Sequence, residues 1–208
     1  MATDLKTMTS IFDYGAGNLQ SVQNALEHID ARFRVINSAA EIRESEKIIL
    51  PGVGNFGQMM NALDRLSVRD VLKERLAAGI SFLGICLGLQ ALFDGSEEAS
   101  DCPGLGIISG EVKRFPERAR VPHMGWNNVS LLSPSRLLPT SETGEYFYFA
   151  HSYFAPVSVE SVGVCDYEGS FAAVIERDNL FAVQFHPEKS GACGLRLLRR
   201  FVGLIKSA

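Results

Sequence analysis

Alternation is the feature that most restricts how this chain can fold. In its first half, short apolar runs take turns with segments whose apolar residues recur every three or four positions. Thr7–Tyr14, Arg32–Ile36, Lys47–Leu50 (stopped by Pro51-Gly52) and Ile80–Ile85 read as strands. Between them, Gly15-Ala16-Gly17 turns into a helix carrying Val22, Leu26 and Ile29, and Ala39–Glu44 suits a short helix. Phe56–Ala78 has apolar positions for one or two amphipathic helices, among them Met59, Leu63, Val71 and Leu76. Strands alternating with helices imply a parallel sheet with helical cover.

Past Phe93 the texture becomes β-rich. Gly106–Phe115, Tyr146–Ala155, Ser161–Cys165, Phe171–Glu176 and Leu180–Phe185 are strand candidates, and Leu131–Glu145, rich in Ser, Pro and Thr, reads as an exposed loop or edge. Gly191–Ile205 closes the chain as a helix with Leu195, Leu198, Phe201 and Val202 inward. The expectation is one α/β domain whose second half is mixed or partly antiparallel. A length of 208 residues suits one domain, and 46% apolar residues suffice for a sizeable core.

Charge narrows the partners. Twenty basic against 24 acidic side chains give a net charge of −4, with no basic cluster longer than Arg199-Arg200, which argues against nucleic acid. Leu76–Phe93 is uncharged for long enough to span a bilayer, but Gly79, Ser81, Gly84, Gly88 and Gln90 interrupt it and suit a buried strand turning into a helix. Met1–Ser10 has no apolar stretch that would direct secretion. Cys86, Cys102, Cys165 and Cys193 follow neither a CxxC nor a zinc-ligand spacing and read as free thiols in a reducing compartment, the cytoplasm.

Gly84-Ile85-Cys86-Leu87-Gly88 lies where the apolar strand ends and a helix, expected over Leu87–Phe93, begins. This is the nucleophile-elbow pattern with sulfur in place of oxygen. The nucleophile sits on a strained turn, and its neighbours two residues away must be small for strand and helix to approach. The start of a helix favours an anionic, exposed sulfur, and the Leu87 N–H can face an oxyanion. The alternative is a structural cysteine in a glycine-rich turn.

A thiol nucleophile needs a base that also protonates the leaving group. Of His28, His123, His151 and His186, only His186 has a carboxylate two residues on, Glu188, which an extended backbone would place on the same side. Pro187 stiffens that arrangement. His28 lies on the first helix, a surface or cap position. His123 and His151 sit in aromatic, β-like surroundings and could line a pocket. No histidine pair has metal-ligand spacing, so no metal is expected. Pro51-Gly52-Val53-Gly54 suits either an oxyanion loop or a plain turn, and Gly15-Ala16-Gly17 lacks the third glycine of a dinucleotide fingerprint.

Together, Pro51-Gly52-Val53-Gly54, Gly84-Ile85-Cys86-Leu87-Gly88-Leu89-Gln90 and Gln184-Phe185-His186-Pro187-Glu188-Lys189-Ser190 resemble the class I (triad) glutamine amidotransferases in order and separation. The resemblance implies a single such domain over 8–208 behind a tail at 1–7, with an open, mixed but mostly parallel, flavodoxin-like sheet. It implies Cys86 as nucleophile, His186 as acid/base and Glu188 as its orienter, with no cofactor. Oxyanion contacts would come from Gly52, Val53 and Leu87, and contacts to substrate glutamine from Gln90, Ser152 and Tyr153.

Within that class, Asp13–Val22, Pro122-His123-Met124-Gly125-Trp126-Asn127 and Tyr148-Phe149-Ala150-His151-Ser152-Tyr153 resemble the glutaminase subunits of imidazole glycerol phosphate synthases. Leu89 and Ala150 depart mildly, standing where methionine and valine are common. This likeness implies a heterodimer in which ammonia enters a (β/α)8 cyclase subunit, with Asn18, Met124 and Trp126 at the interface. A buried core position is the alternative for Trp126. Other readings are a glutaminase subunit for anthranilate, aminodeoxychorismate or pyridoxal phosphate synthesis, against which Pro122–Asn127 speaks, a cysteine peptidase on a similar elbow, or a non-catalytic module.

Overall fold

The computed structural model describes residues 7–15 and 19–204. Most of the expected tail, the turn at 16–17 and Asn18 therefore lie outside the described residues. The first half alternates as expected: β1 (Thr9–Phe12), α1 (Leu19–His28), β2 (Phe33–Ile36), α2 (Ala39–Glu44), β3 (Lys47–Gly52), α3 (Phe56–Arg65), α4 (Arg69–Ala77), β4 (Ser81–Cys86) and α5 (Leu87–Gln90). Local chemistry sets several boundaries. Ser38 and Glu41 form a capping box at α2, with Ser38 Oγ donating to Glu41 Oε2 at 2.7 Å and accepting from the Glu41 N–H at 3.4 Å. Ser67, at φ 53°, separates α3 from α4, so the long apolar stretch is two helices.

The second half contributes β5 (Phe93–Ser96), β6 (Ile108–Arg114), β7 (His123–Asn128), β8 (Ser130–Leu131), β9 (Tyr146–His151), β10 (Tyr153–Phe154), β11 (Ser161–Asp166), β12 (Ser170–Arg177), β13 (Leu180–Val183) and α6 (Gly191–Gly203). An eight-stranded sheet runs β2-β1-β3-β4-β13-β12-β11-β8, parallel from β2 to β13 and antiparallel beyond. Two smaller sheets, β10-β6-β5 and β7-β9, stand apart from it. The α/β class and the mixed second half are as expected.

The central strands are buried on both faces. Ile48 and Leu50 of β3, with Phe82 of β4, join one core, while Ile49, Leu83 and Ile85 join the other, as period-two alternation requires. Lys47, buried at the start of β3, donates from Nζ to the carbonyls of Phe201, Val202 and Leu204, closing the C-terminal end of α6 with positive charge.

Several expectations are corrected. Pro51-Gly52 does not stop β3: both residues stay in register, opposite Ile85 and Cys86. Phe93 begins a strand, so the helix after Cys86 is a single turn. The run Tyr146–Ala155 divides at Ser152, its halves pairing with β7 and β6 respectively. Within the supposed exposed stretch Leu131–Glu145, Leu137 and Leu138 are buried core residues. In α6, Leu197 takes a fully buried place and Leu195 is only partly buried.

Candidate active site

The C-terminal ends of adjacent parallel strands bring the chemistry together, the usual location for ligands in open α/β sheets. Cys86 is the last residue of β4 and lies opposite Gly52 at the end of β3, while His186 follows β13 by three residues. Cys86 adopts φ 55° and ψ −107°, a conformation that costs a non-glycine residue about 1–3 kcal/mol and marks a strained elbow.

The flanking glycines explain how the turn fits. A Cβ on Gly84 would stand 2.6 Å from the Gly88 carbonyl oxygen, and one on Gly88 would stand 2.0 Å from that of Leu50. A Cβ on Gly52 would meet Leu87 Cβ at 2.7 Å, so Gly52 supports the elbow from beneath. Two details differ from expectation. Cys86 is buried rather than exposed, because residues from β9, β10 and the segment after β13 wall in the cavity around it. The single-turn α5 also has far less dipole to offer than a long helix.

Thiol, imidazole and carboxylate form a row. His186 Nδ1 lies 2.8 Å from Glu188 Oε1, and Cys86 is near enough to the His186 ring to influence its charge. The backbone reason differs from the extended one expected: His186 is extended, but Pro187–Lys189 form a 3-10 turn that swings Glu188 back under the ring. The His186 N–H donates to the Tyr148 carbonyl at 2.8 Å, and Ser190 Oγ donates to the His186 carbonyl at 2.6 Å, which fixes the ring's base. Burial opposes charge on this imidazole, yet the neighbouring Cys86 sulfur and the Glu188 carboxylate outweigh it and hold the ring's pKa well above the usual histidine range.

A cavity of about 290 Å³ opens over this row. Cys86, His186, Leu87, Gln90, Val53, Ser152 and Tyr153 line it; Gly52 does not, and Glu188 stands behind His186. Gln90 Nε2 donates to the Tyr153 carbonyl at 2.7 Å and to Gln184 Oε1 at 3.2 Å. The Val53 N–H is directed at Tyr14 Oη, 3.4 Å away, and that hydroxyl donates back to the Val53 carbonyl at 3.3 Å. Burial pushes the Tyr14 phenol up to about 12, so it remains a neutral partner to this peptide.

Two residues given no role by sequence reasoning belong to the site. Gln184, fully buried, points Nε2 at Cys86 Sγ at 3.6 Å; its signal was a polar residue inside an apolar strand end. Glu98 lines the cavity and accepts the Phe56 N–H at 2.7 Å, a contact across 42 residues without a local sequence sign. His151 lines it, as expected, whereas His123, offered for the same role, is not among the lining residues. Met124 and Trp126 lie outside the cavity, 64% and 56% exposed, so the buried-core alternative for Trp126 is excluded. All four cysteines are free, and no three potential metal ligands gather among the described residues.

A strained cysteine elbow beside an imidazole, a carboxylate and a small cavity marks an α/β protein with a cysteine-centred site, and the family model for class-I glutamine amidotransferases matches residues 10–203. Solved structures agree on the fold: PurLQS from Thermotoga maritima superposes with a TM-score of 0.75 at 18% identity, covering 94% of this chain and 97% of that one. A structure described as a glutamine amidotransferase gives 0.73 at 15% identity, covering 93% and 96%. "Imidazole glycerol phosphate synthase subunit HisH" of Thermosynechococcus vestitus is 47% identical over 95% of this chain and 97% of its own length. Its counterpart in Methanocaldococcus jannaschii is 44% identical over 95% and 100%. The chain belongs to the class-I glutamine amidotransferase family and, within it, to the HisH subunits of imidazole glycerol phosphate synthase.

Proposed function

We propose that this HisH subunit, the glutaminase part of imidazole glycerol phosphate synthase, hydrolyses glutamine at Cys86 and passes the ammonia to a (β/α)8 cyclase subunit bound over its exposed β7–β9 face. The single observation that carries the reading is the buried row Cys86–His186–Glu188 opening onto a cavity sized for one small amino acid. The sulfur attacks the side-chain amide carbon of glutamine, His186 gives its proton to the departing ammonia, and a γ-glutamyl thioester remains. His186 then takes a proton from water as the water attacks the thioester, and glutamate leaves with the sulfur regenerated. Glu188 holds the ring in place and stabilises its charge.

The Leu87 N–H, and the Val53 N–H once it leaves Tyr14, supply the donors for the oxyanion. Gln90 and the main chain of Ser152 and Tyr153 bind the substrate, and Met124, Trp126 and Asn18 meet the cyclase subunit. Gly52 supports the elbow from beneath. No described helix is long and apolar enough to cross a membrane, in keeping with a cytoplasmic enzyme. An electrophilic diazoketone analogue of glutamine tests the site. It should add one equivalent to the chain, mapped by mass spectrometry to Cys86; an adduct on Cys102, Cys165 or Cys193 instead would contradict the assignment.

A further inference from the structure

We infer that Asn127, His123 and His151 form a one-directional hydrogen-bond relay that positions the Ser152–Tyr153 main chain for substrate, making the three positioning residues of the glutamine pocket. This rests on the reading that Ser152 and Tyr153 contact glutamine. Direction follows from the ends of the chain of contacts. The Tyr153 carbonyl can only accept, so His151 Nδ1, 2.8 Å away, donates to it. A neutral imidazole carries one N–H, so His151 Nε2 is bare and accepts from His123 Nδ1 at 3.1 Å. His123 Nε2 is then bare as well, and it faces Asn127 Nδ2 at 3.4 Å.

The outer end is fixed independently. Asn127 Oδ1 accepts the Asn128 N–H at 2.9 Å and its Nδ2 donates to the Asp166 carbonyl at 3.1 Å, so the amide presents nitrogen, not oxygen, to His123. A further proton on His151 would set N–H against N–H at the His123 contact. The surroundings also disfavour charge: His123 is stacked between Tyr167 and Phe149, at centroid distances of 4.0 and 5.0 Å, and Phe115 and Phe171 pack against His151. Burial lowers the His123 pKa to about 4 and that of His151 to about 3.

At the inner end, His151 Nδ1 and Gln90 Nε2 converge on the same Tyr153 carbonyl. Two donors occupy both its lone pairs and so fix the orientation of the peptide plane beside the cavity. Hydrophobic residues could fill this aromatic nest without burying polar rings. The relay adds directed donors aimed at one main-chain oxygen, carried from the strand whose outer face bears Met124 and Trp126.

Two measurements test it. In the full chain carrying 15N-labelled histidine, long-range 15N–1H correlation at pH 7 should show both rings as the Nδ1–H tautomer, the minor form of imidazole free in water. In the assembled enzyme, His123→Phe should raise the KM for glutamine about tenfold with kcat within about twofold, the loss of one buried hydrogen bond. His123→Asn, whose amide nitrogen can stand where Nδ1 stood, should restore most of it. If His123→Phe does not fold, Asn127→Ala carries the same expectation from the outer end. An Nε2–H tautomer at His151 overturns the relay, as does an unchanged KM in folded His123→Phe while Gln90→Ala raises it. If neither variant moves KM, the substrate reading of Ser152–Tyr153 fails and the inference fails with it.

Discussion

Glu188 meets His186 at Nδ1, so in the proposed mechanism it acts through the ring and not on the substrate. Its replacement should therefore be milder than loss of either reacting group. Glu188→Gln is expected to slow glutamate release by about 10⁴-fold, against about 10⁶-fold for Cys86→Ala or His186→Ala, by analogy with other triads. Single-turnover glutamate release in the assembled enzyme gives the ranking, and equal losses for Glu188→Gln and Cys86→Ala would mean that the carboxylate does more than orient. This scale was the most legible in the sequence. Cys86, Gly84 and Gly88 announce themselves because a strained turn and two backbone approaches under 3 Å leave little choice of residue. Gln184 shows only as a polar residue in an apolar strand end and Glu98 not at all, since their roles arise from contacts across 98 and 42 residues.

At the scale of elements, β7 shows why part of the fold could not be read. A half-buried strand ordinarily turns its apolar residues inward, but here Met124 and Trp126 face outward while the polar His123 is buried. The strand's core is a hydrogen-bonded pair of rings, and its apolar face is the free one. β5 was hidden for another reason: the apolar run through Leu92 and Phe93 continues past a helix that ends after one turn, and periodicity cannot mark such a change. The parallel strands β1 to β4 were legible because turn residues separate their apolar runs from amphipathic helices.

The buried rings of β7 and β9 have a measurable consequence for stability. Both folded pKa values lie below the ordinary 6.5, so between that pH and about 4 the unfolded chain takes up protons that the folded chain refuses. Their contribution is complete above pH 6.5 and is lost as pH falls through 4 and then 3. The urea midpoint of the wild-type chain should fall over this window more steeply than that of His123→Phe. Parallel slopes would show that His123 is not held neutral.

At the scale of the whole molecule, one exposed face carries Met124, Trp126 and Tyr146 on the small β7–β9 sheet, and Pro122, His151 and Tyr148 tie that sheet to the cavity and to His186. A partner seated there is a short distance from the pocket. The Val53 N–H, our proposed second oxyanion donor, is held by Tyr14, so on that proposal glutamate release should rise about 10²–10³-fold when the partner subunit and its ligand bind. Trp126→Ala should leave the unfolding free energy within about 0.5 kcal/mol of wild type, as an exposed substitution does, while weakening binding of the cyclase subunit by about 2 kcal/mol. Calorimetric titration with that subunit, alongside denaturant unfolding, checks both parts. Full activity of the isolated chain would rule out control by the partner.

The proposed function divides the labour, with Cys86 releasing ammonia and the partner using it. Its most direct test compares product formation by the complex containing Cys86→Ala with glutamine as the nitrogen source and then with a high concentration of ammonium salt. No product should form from glutamine, while ammonia should support wild-type rates. Product from glutamine, or loss of both activities in a properly assembled complex, would contradict it.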